Sequence, residues 1–202
     1  RDHHAAAAVH RQIYEGYRED IPKYLSGKAA TVANEVFDKI CPNVGQKIKY
    51  NRFSEEPSIY VKETLGALQR AFVIHKIFHS NSSGLPLKAQ QDANVYKIFF
   101  LDVGLFNHYF KLDWRQLDGR SAEQILTSGA MTEQFVAQHL LFRAQGQSRP
   151  ELNYWLRDKS SKNAEVDFVI ELNGEILPIE VKAGAVGKIR SLIRFIYEKK
   201  SI

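Results

Sequence analysis

One cysteine and one methionine occur among the 202 residues. A lone thiol, Cys41, excludes an intramolecular disulfide and any cysteine cage around zinc, and its place at the end of a helical pattern marks it as a packed residue rather than a nucleophile. Long hydrophobic runs are also missing. The most apolar stretch, KIFFLDVGLF, falls far short of the roughly 20 residues needed to span a bilayer, and no leader pattern opens the chain, so a cytoplasmic, non-membrane protein is expected. No G-x-x-x-x-G-K-[ST] stretch is present, which excludes a P-loop nucleotide site in this chain. Charge of one sign is not dominant either. The net charge of +5 permits a nucleic acid or another anionic partner without requiring one, and residues 1–120 hold most of it, with 17 basic against 13 acidic residues. The seven histidines show no ligand spacing, and His75 and His79, two apart in a strand pattern, are expected to be solvated.

What is present divides into two parts. Residues 5–41 carry helical periodicity up to Pro42; NVGQKIKYNRF and PSIYVKETLGALQRAF read as two further short helices, the second opened by Pro57. The β-branched and aromatic stretches IHKIFHS and VYKIFFLD then predict a two-stranded ribbon, the order expected of a winged helix. After a polar connection over 107–128, Gly129 opens a helix, GAMTEQFVAQHLLFRAQ. Three strand patterns, NYWLRD, AEVDFVIEL and EILPIEVKA, come next, followed by a basic helix over 186–200. The expected class is therefore α+β, with a helical, winged-helix-like domain over 1–115 and a distinct α-β-β-β-α domain over 116–202. The chain starts without an initiator Met and stops inside a helical pattern, as expected of a piece of a longer protein truncated at both ends.

The chemistry concentrates in AEVDFVIELNGEILPIEVKAG. Asn173-Gly174 between two alternating strands predicts a two-residue type I′ turn. That turn sets Leu172 opposite Glu175, Asp167 opposite Glu180 and Glu165 opposite Lys182, with all four charged residues near the strand ends on one face. Val166, Phe168, Ile170, Leu177, Ile179 and Val181 would form the buried face. Two carboxylates about 5 Å apart at an effective dielectric near 20 repel by about 3 kcal/mol, and a divalent cation with oxygen preference, Mg²⁺ or Mn²⁺, removes that cost. Lys182 on the same face could polarise a water or stabilise charge on a phosphorus centre. The plainer reading is a solvated charged face. Glu133 weighs against it, because Val136, Ala137, Leu140 and Leu141 place it on the apolar stripe of its helix.

A helix glutamate, a strand aspartate and Glu-X-Lys on the next strand resemble the PD-(D/E)XK restriction-endonuclease-like superfamily. Asp167 matches the first acid, Glu180-Val181-Lys182 the (D/E)XK element and Glu133 the helix acid of some branches; Val166 stands where the motif has proline. More broadly, GAMTEQFVAQHLL, NYWLRD, the hairpin and GKIRSLIRF are similar to the C-terminal domain of a family of bacterial and archaeal AAA+ ATPases. EGYREDIPKY, NEVFDKI, NVGQKIKYNRF and YKIFFLDVGL resemble that family's winged-helix-like middle. The resemblance implies an N-terminal ATPase domain in the parent protein, absent from this chain, and leaves an oligomer open. It implies Mg²⁺-dependent hydrolysis of DNA, with Asp167, Glu180 and Glu133 as metal ligands and Lys182 as the fourth catalytic residue. The alternative is a catalytically inactive module that binds nucleic acid or protein. Lys47, Lys49, Arg52 and Lys62 in the first part and Lys188 in the last helix are the expected contacts to DNA phosphates.

Overall fold

The computed structural model describes residues 3–111, 129–143, 151–157, 164–183 and 189–199. Six helices and five strands are described: α1 (His3–Asp20), α2 (Gly27–Asp38), α3 (Ser58–Arg70), β1 (Ile74–Ser80), β2 (Gln91–Phe100), α4 (Val103–Tyr109), α5 (Gly129–Arg143), β3 (Asn153–Leu156), β4 (Glu165–Leu172), β5 (Glu175–Ile179) and α6 (Arg190–Lys199). The class is α+β, as the patterning predicts.

The chain forms two compact units that interleave in sequence. One comprises Arg1–Lys76 with Ile98–Ile125, the other Ile77–Lys97 with Leu126–Ile202. Strands β1 and β2 run across this division. In the first unit, α2 and α3 bury Ala29, Val32, Ala33, Val36, Phe37, Val61, Leu65 and Leu68. Tyr14 of α1 lies against Phe37 and His108, both with ring centroids 4.9 Å away, and donates its hydroxyl to Asp38 Oδ1 at 2.9 Å. Cys41 is fully packed, and burial pushes its thiol well above the ordinary range, which fits the packed residue expected and removes it as a nucleophile.

Two expectations for this unit fail. Residues 43–53 do not form a helix: single turns at Cys41–Asn43 and Tyr50–Arg52 flank an irregular stretch in which Gly45 has φ +71°. That left-handed residue ends any helix that Pro42 would have allowed to begin. Nor do β1 and β2 form a free wing. They belong to one five-stranded sheet in the order β2-β1-β3-β4-β5, with β1 parallel to β3 through Phe78–Asn153 and His79–Tyr154. Residues 77–97 accordingly group with the second unit, across the expected boundary at 115. His79, expected in solvent, is buried against the ring of Tyr154 at 5.7 Å.

In the second unit, β4 and β5 pair antiparallel from Leu172–Glu175 to Phe168–Ile179, the register that the turn dictates. Asn173 and Gly174 have φ of +54° and +79°, as a type I′ turn requires. Pro178 faces Val169 on the edge strand at a non-hydrogen-bonded pair, where its missing N–H costs no ladder bond. On its other side β4 pairs with β3, but Asn153 faces Val169 while Trp155 faces Val166. Three residues of β4 thus answer two of β3, a bulge that shifts the alternation by one. Val166 and Val169 consequently share one cluster with Trp155, Phe195 of α6 and Leu87. The buried face expected from strict alternation is therefore split: Val166 lies with Val169, and Leu177 is exposed.

Candidate functional site

Lys97 near the middle of β2 is the most unexpected side chain in the second unit. Its side chain is 2% exposed, and its ammonium pairs with Glu165 Oε1 and lies 3.7 Å from Glu133 Oε2. The same ammonium sits 5.1 Å from the centroid of the Tyr154 ring. A buried ammonium is tolerated only with such partners. Around it the structure gathers Glu133 of the helix and Glu165 and Asp167 of the hairpin. Burial, opposed by Lys97 and reinforced by the negative charges of Asp167 and Glu165, pushes the Glu133 carboxyl up to about 7. The helix stripe brings Glu133 here, since Ala137 and Gln134 beside it are fully buried.

Asp167 stands at the bulge. Beyond the Phe168–Ile179 pair its Oδ2 accepts the backbone N–H of Val181 at 2.7 Å, so the carboxylate takes a donor that the ladder would have used. Burial raises the Asp167 carboxyl above its usual range, while the Val181 bond and the Lys97 and Lys182 charges pull the other way. Glu180 is paired with Lys182, and its side chain is only 6% exposed. Burial raises its carboxyl as well, and Asp167 adds to the effect against the pull of Lys182. The bond to Glu180 raises Lys182, which therefore stays an ammonium at neutral pH. The pairing differs from the expected one: Glu165 is held by Lys97 rather than Lys182, and Lys182 by Glu180 two residues away.

The structure thus brings Glu133, Asp167, Glu180 and Lys182 into one electrostatic group and adds Lys97 and Glu165. Lys97 escaped the sequence reading; the signal was a lone cation in the otherwise apolar Val-Tyr-Lys-Ile-Phe-Phe stretch. Four carboxylates meet two ammonium groups, so the fully ionised cluster carries two net negative charges. Glu180 Oε2 is buried with no hydrogen-bond donor, and Glu133 Oε2 has no donor within hydrogen-bond distance, only the Lys97 ammonium at 3.7 Å. Orphaned carboxylate oxygens, an oxygen-only donor set and a twofold negative balance fit a hard divalent cation. Among the described residues, however, no three His, Cys, Asp or Glu side chains already stand in metal-ligating positions. The remaining ligands would have to be water or substrate oxygens, which magnesium sites commonly use.

Of the expected phosphate contacts, Lys47, Lys49, Arg52 and Lys62 are exposed in the first unit. Lys62 stacks its ammonium 5.0 Å from the Tyr50 ring, and Arg52 pairs with Gln46. Lys188 lies outside the described residues. On α6, Arg194 is engaged with Glu198, which also binds Arg157 at 2.7 Å. No helix among the described residues is long and apolar enough to cross a membrane.

Comparisons with curated proteins and with solved structures give no match. Residues 128–202 match Domain of unknown function (DUF4143), a domain typically found C-terminal to AAA ATPase domains. The match to a second family spans 1–116 and includes Lys97, so the acidic cluster joins residues from both stretches. By that longer match the chain belongs to the family described as Domain of unknown function (DUF8612).

Proposed function

We propose that this chain is the C-terminal part of an AAA+ ATPase and carries a divalent-cation-dependent centre for hydrolysis of DNA phosphodiesters, of the PD-(D/E)XK kind. The observation that carries the reading is the cluster itself: helix acid, strand acid and Glu-X-Lys converge, with two buried carboxylate oxygens left without donors. Asp167 and Glu180 would hold Mg²⁺ or Mn²⁺, and Glu133 would complete the set. Such a cation supplies Lewis acidity and a more acidic bound water. The Lys182 ammonium, paired with Glu180, is suited to hold the attacking water or to hydrogen-bond a phosphate oxygen as negative charge accumulates there. The exposed Lys47, Lys49, Arg52 and Lys62 supply cations for sequence-independent phosphate contacts.

A second reading is favoured by the pairing of Lys97 and Lys182, which already neutralises two of the four acids. In that case the domain binds nucleic acid or protein for the ATPase and cuts nothing.

Calorimetric titration of Mg²⁺ and Mn²⁺ into the wild type and Asp167→Ala, followed by plasmid nicking with both proteins, separates these readings. Binding and nicking that vanish together in the variant are the expected result. A folded wild type that binds neither ion removes the catalytic reading, and binding without nicking leaves the second one.

A further inference from the structure

We propose that Lys97 is the built-in counter-ion of the acidic cluster, and that a divalent cation held by the neighbouring carboxylates, with Glu133 common to both, can take over its charge. This inference rests on the cation-binding part of the reading above, but not on DNA cleavage.

Lys97 is a positioning residue here. Its ammonium is nearly sealed from solvent, touches Glu165 and Glu133, and faces the Tyr154 ring. Lys182, the other cation of the cluster, is committed to Glu180 and is far more exposed, at 39% of its side chain. Lys97 is thus the cation that lets Glu133 and Glu165 stand together inside the fold without metal. Replacing it by methionine keeps most of the stem volume over Tyr154 but leaves the cluster, when fully ionised, with three net negative charges, and leaves Glu133 and Glu165 without the ammonium that faces them. Removing the buried ammonium leaves the mostly buried Glu133, 21% exposed, without its cation, while Glu165 at 38% is partly solvated, so the destabilisation comes chiefly from Glu133 and from the summed negative charge. A hard divalent cation restores the missing charge through the oxygens already present. The fold of Lys97→Met should therefore depend on a cation that the wild type does not need.

The test compares thermal unfolding of wild type, Lys97→Met and Lys97→Met/Glu165→Gln, each in EDTA and in excess MgCl₂. In EDTA the single variant should melt roughly 10 °C below wild type. Magnesium should recover at least half of that loss while moving wild type by only a few degrees, since the more negative cluster of the variant binds the ion more tightly and stabilisation grows with ligand concentration over Kd. The double variant has the wild-type charge balance and should regain most of the loss in EDTA alone. A mere packing role for the stem would predict neither recovery. The inference is overturned if Lys97→Met melts with wild type, or if magnesium recovers nothing. If the single variant is insoluble, failure of the double variant to fold in EDTA overturns it as well. Wild type that binds magnesium but nicks no plasmid would end the nuclease reading and leave this one intact.

Discussion

Replacing Glu133 by glutamine should remove its share, about 3 kcal/mol, of the fall in stability with rising pH that the acidic cluster imposes between about pH 4.5 and 7. Burial is the main reason the Glu133 carboxyl sits near 7 in the folded chain instead of at 4.5; Lys97 opposes the rise, and Asp167 and Glu165 add to it. A group raised by folding favours the native state while protonated. Its contribution is therefore complete below about pH 4.5 and is lost as the pH climbs through about 7. At about 1.4 kcal/mol per pKa unit, the ionised form of Glu133 costs the folded chain about 3 kcal/mol. Its side chain is 21% exposed, so little of that is lost to solvent screening. Urea unfolding in EDTA, followed by tryptophan fluorescence at several pH values across this window, measures the difference between wild type and Glu133→Gln. The gap should change by about 3 kcal/mol in favour of the variant as the pH rises. The raised carboxyls of Asp167 and Glu180 are present in both proteins, so their contribution largely cancels. Stability curves that run parallel, with a gap constant to within about 0.5 kcal/mol, would refute the account of a buried, partly protonated Glu133.

Two further predictions concern the scaffold. Phe195 of α6 is buried edge-on against Trp155 at 5.3 Å, so Phe195→Ala should cost about 3 to 4 kcal/mol in calorimetric unfolding, and a loss below about 1 kcal/mol would mean that α6 does not close this cluster. A Cβ on Gly104 would lie 2.5 Å from Asp102 Oδ1 and 2.7 Å from His10 Nε2, at the place where Asp102 caps α4. Gly104→Ala should therefore destabilise by about 2 kcal/mol in the same assay, and an unchanged melting temperature would show that the cap and His10 yield freely.

The parts of the site legible in the sequence were those fixed by local geometry. The Asn173-Gly174 turn needs two residues at positive φ, and once it forms, the whole β4–β5 register follows. The stripe that carries Glu133 inward is likewise a property of one helix. The bulge in β4 was invisible because no glycine marks it; it exists only in the pairing with β3, which supplies two residues for three. The same non-local step moved Val166 beside Val169 and made strict alternation a poor guide to the buried face. Lys97 was hidden for a related reason. A cation in an apolar strand signals a buried partner, but nothing near it in sequence says that the partners are Glu133 and Glu165. The expected helix over 43–53 failed at Gly45, where one left-handed residue outweighs helical periodicity.

The interleaving of the two units also bears on how such a chain can be inherited. Residues 77–97 supply the second unit with part of β1, most of β2 and Lys97, although they lie inside the stretch matched by the first family. A recombination breakpoint between the two matched families would hand a recipient gene the hairpin and its acids stripped of their buried cation and of the strand parallel to β3. Exchange of the C-terminal segment alone should yield an unbalanced half-sheet, so the two stretches are expected to pass between lineages as a single cargo.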